Sequence, residues 1–339
     1  MRSFTSLVSL CLVAALTVQP VVAFFSQGLC RTIDLRREWR TLSRTQKKAY
    51  IDSVLCLQSK PPKTAGTPAK SRYEEFAWTH IELTPAVHVV GHFLPWHRQM
   101  VTMYTNVLRD ECGYRGPTPY WDYTIDADSG LPMSQWPIFD PVTGFGGDGV
   151  PGTYTFPDDP DGVNDVPIFV QPDMYKGCVQ DGPFKDLVVN LGPHLLNGPH
   201  CLVRGFDFEK FGHFITSAAM NKAMSKNTFV EFIGQLDSFG DGIHLGGHFV
   251  VGGEMGDPYS SPGDPLFYLH HANLDRLWWK WQLAKPISRM YQIGGPTTQG
   301  GSTPTTLNWT MEFPRLGANV TVKDVMNTFF EPSCFLYAD

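Results

Sequence analysis

The chain has 339 residues, of which 42% are hydrophobic and 18% charged, and a formal net charge of −6. That balance excludes a disordered or fibrous chain and leaves enough apolar material for a sizeable core. No basic run stands out, which argues against nucleic acid as a partner.

Residues 1–23, MRSFTSLVSLCLVAALTVQPVVA, place one Arg before an apolar run from Leu7 to Val18 and end on the small residue Ala23. The run is short for a membrane span, which takes roughly 20 residues. The pattern predicts a signal peptide over 1–23, a mature single domain over 24–339, and a secreted, extracellular protein with no membrane partner. Cys11 falls in the leader. Cys30, Cys56, Cys112, Cys178, Cys201 and Cys334 remain, and an even number in an exported chain predicts three disulfides whose pairing stays open. The sequons at Asn308 and Asn319 fit the same compartment.

In chain order, 45–58 carries Ala49, Val54, Leu55 and Leu57 at helical spacing. Residues 95–113 open with Pro95 in a first turn and stop at Gly113, the usual start and stop signals of a helix. The stretch 126–200 is rich in Pro, Gly and Asp and reads as loops. Residues 221–236 predict a weaker helix. Residues 264–284 predict a strong one, with Asp264 as N-cap and Pro265 behind it. After Pro286 the chain reads as loops and short strands, for example 319–325. The fold class expected is mainly α, with long loops and few short strands.

The histidines carry the chemistry. Of the 11, four lie in 80–97 (His80, His88, His92, His97) and four in 244–271 (His244, His248, His270, His271). His244 and His248 share one helix face at a spacing of four, although Gly246 and Gly247 between them each cost a helix about 1 kcal/mol. Small residues there are explained if something must approach closely. Adjacent helical residues diverge by about 100°, so only one of His270 and His271 is expected to face a common site. Asp275, one turn after His271, favours His271, with Asp275 steadying its ring and His270 lining the site. In the first group Gly91 and Pro95 interrupt any helix through His88 and His92, so spacing leaves the choice open. His194, His200 and His213 read as structural. Two groups of imidazoles without ligand-spaced carboxylates or thiolates suit zinc, copper, iron or nickel. No Glu-x-x-His helix for iron and no HExxH for catalytic zinc occurs. The all-nitrogen set points to two copper ions.

The segments RYEEFAWTH…VHVVGHFLPWHR (72–98), LRDECGYRGPTPYWDY (108–123) and HLGGHFVVGGEM…DPLFYLHHANLDRLW (244–278) resemble the tyrosinase, catechol oxidase and haemocyanin superfamily, and above all its short secreted fungal members. The likeness runs through most of residues 30–337. It implies a four-helix bundle holding two coppers. His80, His88 and His97 match the ligands of the first, and His244, His248 and His271 those of the second. His92 takes a variable position. Ala86 stands where many fungal members carry a thioether-forming cysteine, so no such link is expected. Leu245 stands where true tyrosinases often have Asn, Asp237 is the nearest counterpart of their water-orienting Glu, and Thr105 replaces an acidic residue. These departures imply oxidation of ortho-diphenols, including substituted or methoxylated phenols, by O2, rather than hydroxylation of monophenols. The chain's end soon after CFLY implies that no C-terminal shielding domain follows. Phe249 and Pro258 to Ser261 are candidates for the pocket mouth, and Asp275 and Asp122 for supports of the ligands. A tyrosinase with monophenol activity, a haemocyanin-like dioxygen binder and a zinc hydrolase are the competing readings. Phenolic small molecules and O2 are the partners expected, and the oligomeric state is left open.

Overall fold

The computed structural model describes residues 28–159, 162 and 172–338, so the leader expected over 1–23 lies outside the described residues. Its long helices are Arg44–Ser59, Glu74–Val87, Phe93–Cys112 and Leu266–Ala284. Ser43 starts the first through a reciprocal capping box with Gln46, satisfying two otherwise unpaired N–H groups. The third begins at Phe93, two residues ahead of Pro95, whose missing N–H costs nothing in a first turn. It ends at Gly113, which takes the left-handed conformation at φ 69°. Along it Trp96, Met100, Tyr104 and Leu108, spaced by four, form one buried stripe. Leu266–Ala284 is buried on every side from Leu266 to Trp278, as befits a central helix. Asp264 accepts the Leu266 N–H at 2.9 Å and is held in turn by the Arg204 guanidinium, so its side chain steadies the start of this helix, while the N-cap position falls on Pro265, one residue later than expected.

Two local expectations need correction. Residues 221–236 form parts of two helices, Ser217–Met224 and Phe229–Leu236. Thr228 makes a second capping box with Glu231, and that local side-chain bonding restarts the helix. Residues 319–325 are only briefly strand: Val320–Thr321 pairs with Thr310–Met311, and a helical turn Val322–Met326 follows, capped through Thr321 and Asp324.

The strands are short and serve as fasteners. Asp34–Glu38 lies between Phe335–Tyr337 and Pro119–Tyr120, parallel to both, which fixes the two ends of the described chain on one side of the core. The 126–200 region holds a hairpin, Val188–Leu191 with Asn197–Cys201, and strands Gly149–Pro151 and Gly177–Val179, the latter also paired with Val203–Arg204. The six cysteines among the described residues form three disulfides: Cys30–Cys334, Cys56–Cys112 and Cys178–Cys201. The first closes the terminal sheet, the second ties the first long helix to the third, and the third anchors the hairpin.

Candidate metal centre

The six imidazoles implied by the resemblance come from four helices and one helix end. His80 lies in Glu74–Val87, His88 caps that helix, and His97 sits in the first turns of Phe93–Cys112. His244 and His248 lie on a seven-residue helix, Ile243–Phe249, and His271 on Leu266–Ala284. The fourth member of the bundle around the site is therefore short, and Arg44–Ser59 packs outside it against Phe93–Cys112. His80, His88 and His97 have ring nitrogens within 4.8 Å of one another, and so do His244, His248, His270 and His271. The groups face each other: the His97 and His271 rings stack at 4.3 Å, and the His88 and His244 rings are nearly parallel at 6.2 Å.

Hydrogen bonds fix most of the tautomers. A backbone carbonyl can only accept, so the nitrogen facing it must carry the proton. His80 Nδ1 donates to Tyr259 O at 2.7 Å, His88 Nδ1 to Thr84 O at 3.0 Å, His97 Nδ1 to Phe93 O at 2.9 Å and His248 Nδ1 to Met255 O at 2.7 Å. His244 Nδ1 faces Asp237 Oδ1 at 2.7 Å. Each Nε2 is then left as a bare lone pair. His80 Nε2 and His97 Nε2 are buried without a partner. His248 Nε2 lies 3.1 Å from His244 Nε2 and 3.2 Å from His271 Nε2. Acceptors converging on acceptors repel unless a cation lies among them, and buried unsatisfied groups are costly.

Burial also keeps these rings neutral, the form that binds metal. Desolvation lowers all six, with His88 pulled down to about 4, aided by the His244 charge, and His244 to about 3. A set of neutral nitrogen donors without thiolate or carboxylate among them fits copper.

The glycines of HLGGH make room on two sides. A Cβ on Gly246 would meet Phe214 Cβ at 2.4 Å, and one on Gly247 would meet His270 Cε1 at 2.3 Å. Without a Cβ at 247 the His270 ring enters from behind, 4.5 Å from His248 and stacked at 5.8 Å on His244. Both His270 and His271 thus reach the second group, although only one of the pair was expected to face it, with the other as lining. The three Nε2 atoms that meet are nevertheless those of His244, His248 and His271. His92 stands apart, its Nε2 donating to Ala86 O at 2.9 Å and its ring against Trp309.

Asp237 is bound to His244, and the Val89 N–H, on the residue after His88, favours its ionised form. Burial pushes its carboxyl up to about 7, against the opposing pull of His88 and the Val89 N–H. Val89 has φ 57°, a strained value for a β-branched residue.

Other expected neighbours are placed differently. Asp275 does not steady His271, whose Nδ1 has no hydrogen-bond partner. It accepts instead from Arg36 at 3.0 Å, Arg98 at 2.5 Å and Tyr337 at 2.6 Å, because the strand pairing brings Arg36 and Tyr337 to the outer face of its helix. Asp122 also serves elsewhere: it caps Tyr123–Ala127 and pairs with Arg276 at 3.0 Å. Tyr259, Ser260 and Ser261 are buried behind His80 rather than at a mouth. Pro258 is half-buried, with its carbonyl toward Thr84. Leu245 and Phe249 are half-buried on the helix that carries His244 and His248, with Phe249 against Phe211 at 5.3 Å. The carbonyls of Met255 and Tyr259 were not foreseen, since no side-chain pattern marks a backbone acceptor.

Residues 70–284 match the common central domain of tyrosinase. The chain is 32% identical over 337 residues to tyrosinase P of Aspergillus terreus, covering 91% of this chain and 93% of that protein. It is also 32% identical to N-acetyl-6-hydroxytryptophan oxidase of Emericella nidulans, covering 96% and 98%. Its structure resembles that of a polyphenol oxidase variant from Thermothelomyces thermophila, with a TM-score of 0.77, 30% identity and coverage of 91% and 89%. Converging neutral imidazoles and a match over most of the chain have one reading: the protein belongs to the tyrosinase family, whose members are copper oxidoreductases that bind two copper ions.

Proposed function

We propose that this polyphenol oxidase is a secreted enzyme that oxidises ortho-diphenols to ortho-quinones and hydroxylates monophenols slowly at best. His80, His88 and His97 hold one copper, and His244, His248 and His271 the other. The observation that carries the substrate preference is the occupancy around His244. Leu245, the next residue, offers no polar side-chain atom to hold a water, and Asp237 is already engaged by His244.

Bound copper supplies O2 binding and accepts the substrate's electrons. Two diphenols give four electrons and four protons to one O2, yielding two quinones and two waters. The chain's part is geometric. Carbonyls at Tyr259, Thr84, Phe93 and Met255 hold four imidazoles with their lone pairs inward. Phe267 packs against His80 and His271 with ring centroids at 5.3 and 4.1 Å, backing the two groups of ligands with apolar surface. A monophenol must lose its only hydroxyl proton before it can bind, and nothing polar at position 245 helps. A diphenol brings two acidic hydroxyls and needs less help.

Three disulfides and the 1–23 leader pattern support export, and no helix among the described residues is long and apolar enough to cross a membrane. The hydroxyindole named for the Emericella relative makes a hydroxyindole a useful test substrate beside phenols.

The test is oxygen uptake by the copper-loaded protein on a catechol, a simple monophenol, a methoxyphenol and a hydroxyindole. Catechol turnover is expected to exceed monophenol turnover at least about tenfold, a barrier difference of about 1.4 kcal/mol. Leu245→Asn should narrow that ratio. Monophenol turnover equal to or faster than catechol turnover would overturn the reading, and binding of O2 without quinone formation would point to a carrier.

A further inference from the structure

His194 and His200 take no part in the centre described above, yet each lies against a carboxylate that is fully buried or nearly so. His200 Nε2 lies 2.7 Å from Glu254 Oε1, and His194 Nδ1 lies 2.8 Å from Asp257 Oδ2. Glu254 and Asp257 are 0% and 1% exposed. Burying two carboxylates in one short turn is costly unless they are paired and hydrogen-bonded, so their placement asks for a reason.

That turn, 254–260, touches both halves of the centre. Met255 O receives His248 Nδ1 and Tyr259 O receives His80 Nδ1, each at 2.7 Å. Asp257 builds it from inside. Its Oδ1 accepts the N–H groups of Tyr259 and Ser260 at 2.8 and 2.9 Å, which aims the Tyr259 carbonyl. Its Oδ2 accepts from the Tyr175 hydroxyl at 2.7 Å and from the backbone N–H of His194 at 2.8 Å, with the His194 ring as an ion-pair contact beside it. Glu254 flanks Met255 and reaches Ser260 Oγ at 3.4 Å, closing the turn on itself. Both histidines arrive from the hairpin region, and His200 sits beside the Cys178–Cys201 bridge that anchors it.

The charge state of His200 follows from its partners. Its Nδ1 faces Gly198 O at 2.8 Å and its Nε2 faces a carboxylate, so both nitrogens meet acceptors, which suits the imidazolium. Burial pulls this group down, but Glu254 outweighs it and pushes it up to about 9.

Resting on the dicopper reading, we infer that His194 and His200 are positioning residues that, through Asp257 and Glu254, set the 254–260 turn and so orient one ligand of each copper at once. A support shared by His80 and His248 couples the two metals: loosening it loosens both. It also gives the hairpin a role in holding metal, although it contributes no ligand.

The test measures copper release to a chelator from the copper-loaded full chain, beside the melting temperature of the copper-free protein. His200→Ala and His194→Ala should each release both coppers about 10–100-fold faster, in one phase, the usual range for loss of an outer support. His200→Gln keeps a donor toward Glu254 without the charge, and it should fold and release copper at an intermediate rate. Arg72→Met breaks a buried pair with Glu75 away from the turn and serves as control, lowering the melting temperature without speeding release. Unchanged release in folded variants overturns the proposal, as does faster release of only one copper, or a control whose release quickens in step with its lower melting temperature. A wild-type chain that takes up no copper overturns the dicopper reading and the proposal with it.

Discussion

Gly247→Ala is expected to abolish copper binding at the second site and to reduce quinone formation to background. The added Cβ would sit 2.3 Å from His270 Cε1 and 2.5 Å from its Nδ1, far inside contact distance. His270 has no room to yield: it is 0% exposed, with Tyr123, His244, His248 and His271 rings around it. The Ile243–Phe249 helix must therefore move, and it carries His244 and His248. Overpacking of this kind costs about 1–3 kcal/mol, and displacement of about 1 Å at a reacting centre costs about 100-fold in rate. Copper analysis of the purified variant should find the first site filled and the second empty. Copper uptake and turnover at wild-type levels would contradict this account of the paired glycines.

Asp275→Ala is expected to cost about 3–5 kcal/mol of stability, the range for removing one partner of a buried ion pair. Its carboxylate neutralises two guanidinium groups, Arg36 and Arg98, that are 1% and 0% exposed. Arg36 also lies over the Phe335 ring at 3.3 Å and Arg98 over Trp278 at 3.6 Å. Arg98 donates further to the carbonyls of Val325 and Met326. Without Asp275 both cations stay buried, and the terminal sheet keeps fewer ties to the central helix, chiefly the Tyr337 hydroxyl on Ala272 O. Denaturant unfolding should show the loss, while the fraction that remains folded keeps wild-type copper content. Unchanged stability with selective loss of copper would instead mean that Asp275 supports His271, the role its spacing suggested.

These cases show what a sequence can and cannot carry. Spacing grouped the histidines because ligands clustered along the chain also cluster in space when each segment is a helix or helix end. Helix ends were legible where a side chain or a left-handed glycine marks them, as at Gly113 and Asp264. The break at 225–228 was missed because apolar periodicity runs on across it, while the capping chemistry of Thr228 is local and competes. Asp275 was misjudged because helical spacing says which residues lie one turn apart, not what a distant strand will bring against them. How near His270 comes is not legible in helical spacing, because the absence of a Cβ on another helix decides it. His194 and His200 looked structural, and their carboxylate partners lie 63 and 54 residues further on, beyond any local pattern.

The central claim is most directly tested by diffraction at the copper absorption edge from crystals of the copper-loaded protein. Two anomalous peaks are predicted, one bonded to the Nε2 atoms of His80, His88 and His97 and the other to those of His244, His248 and His271. A single peak, peaks away from these rings, or zinc in place of copper would contradict it.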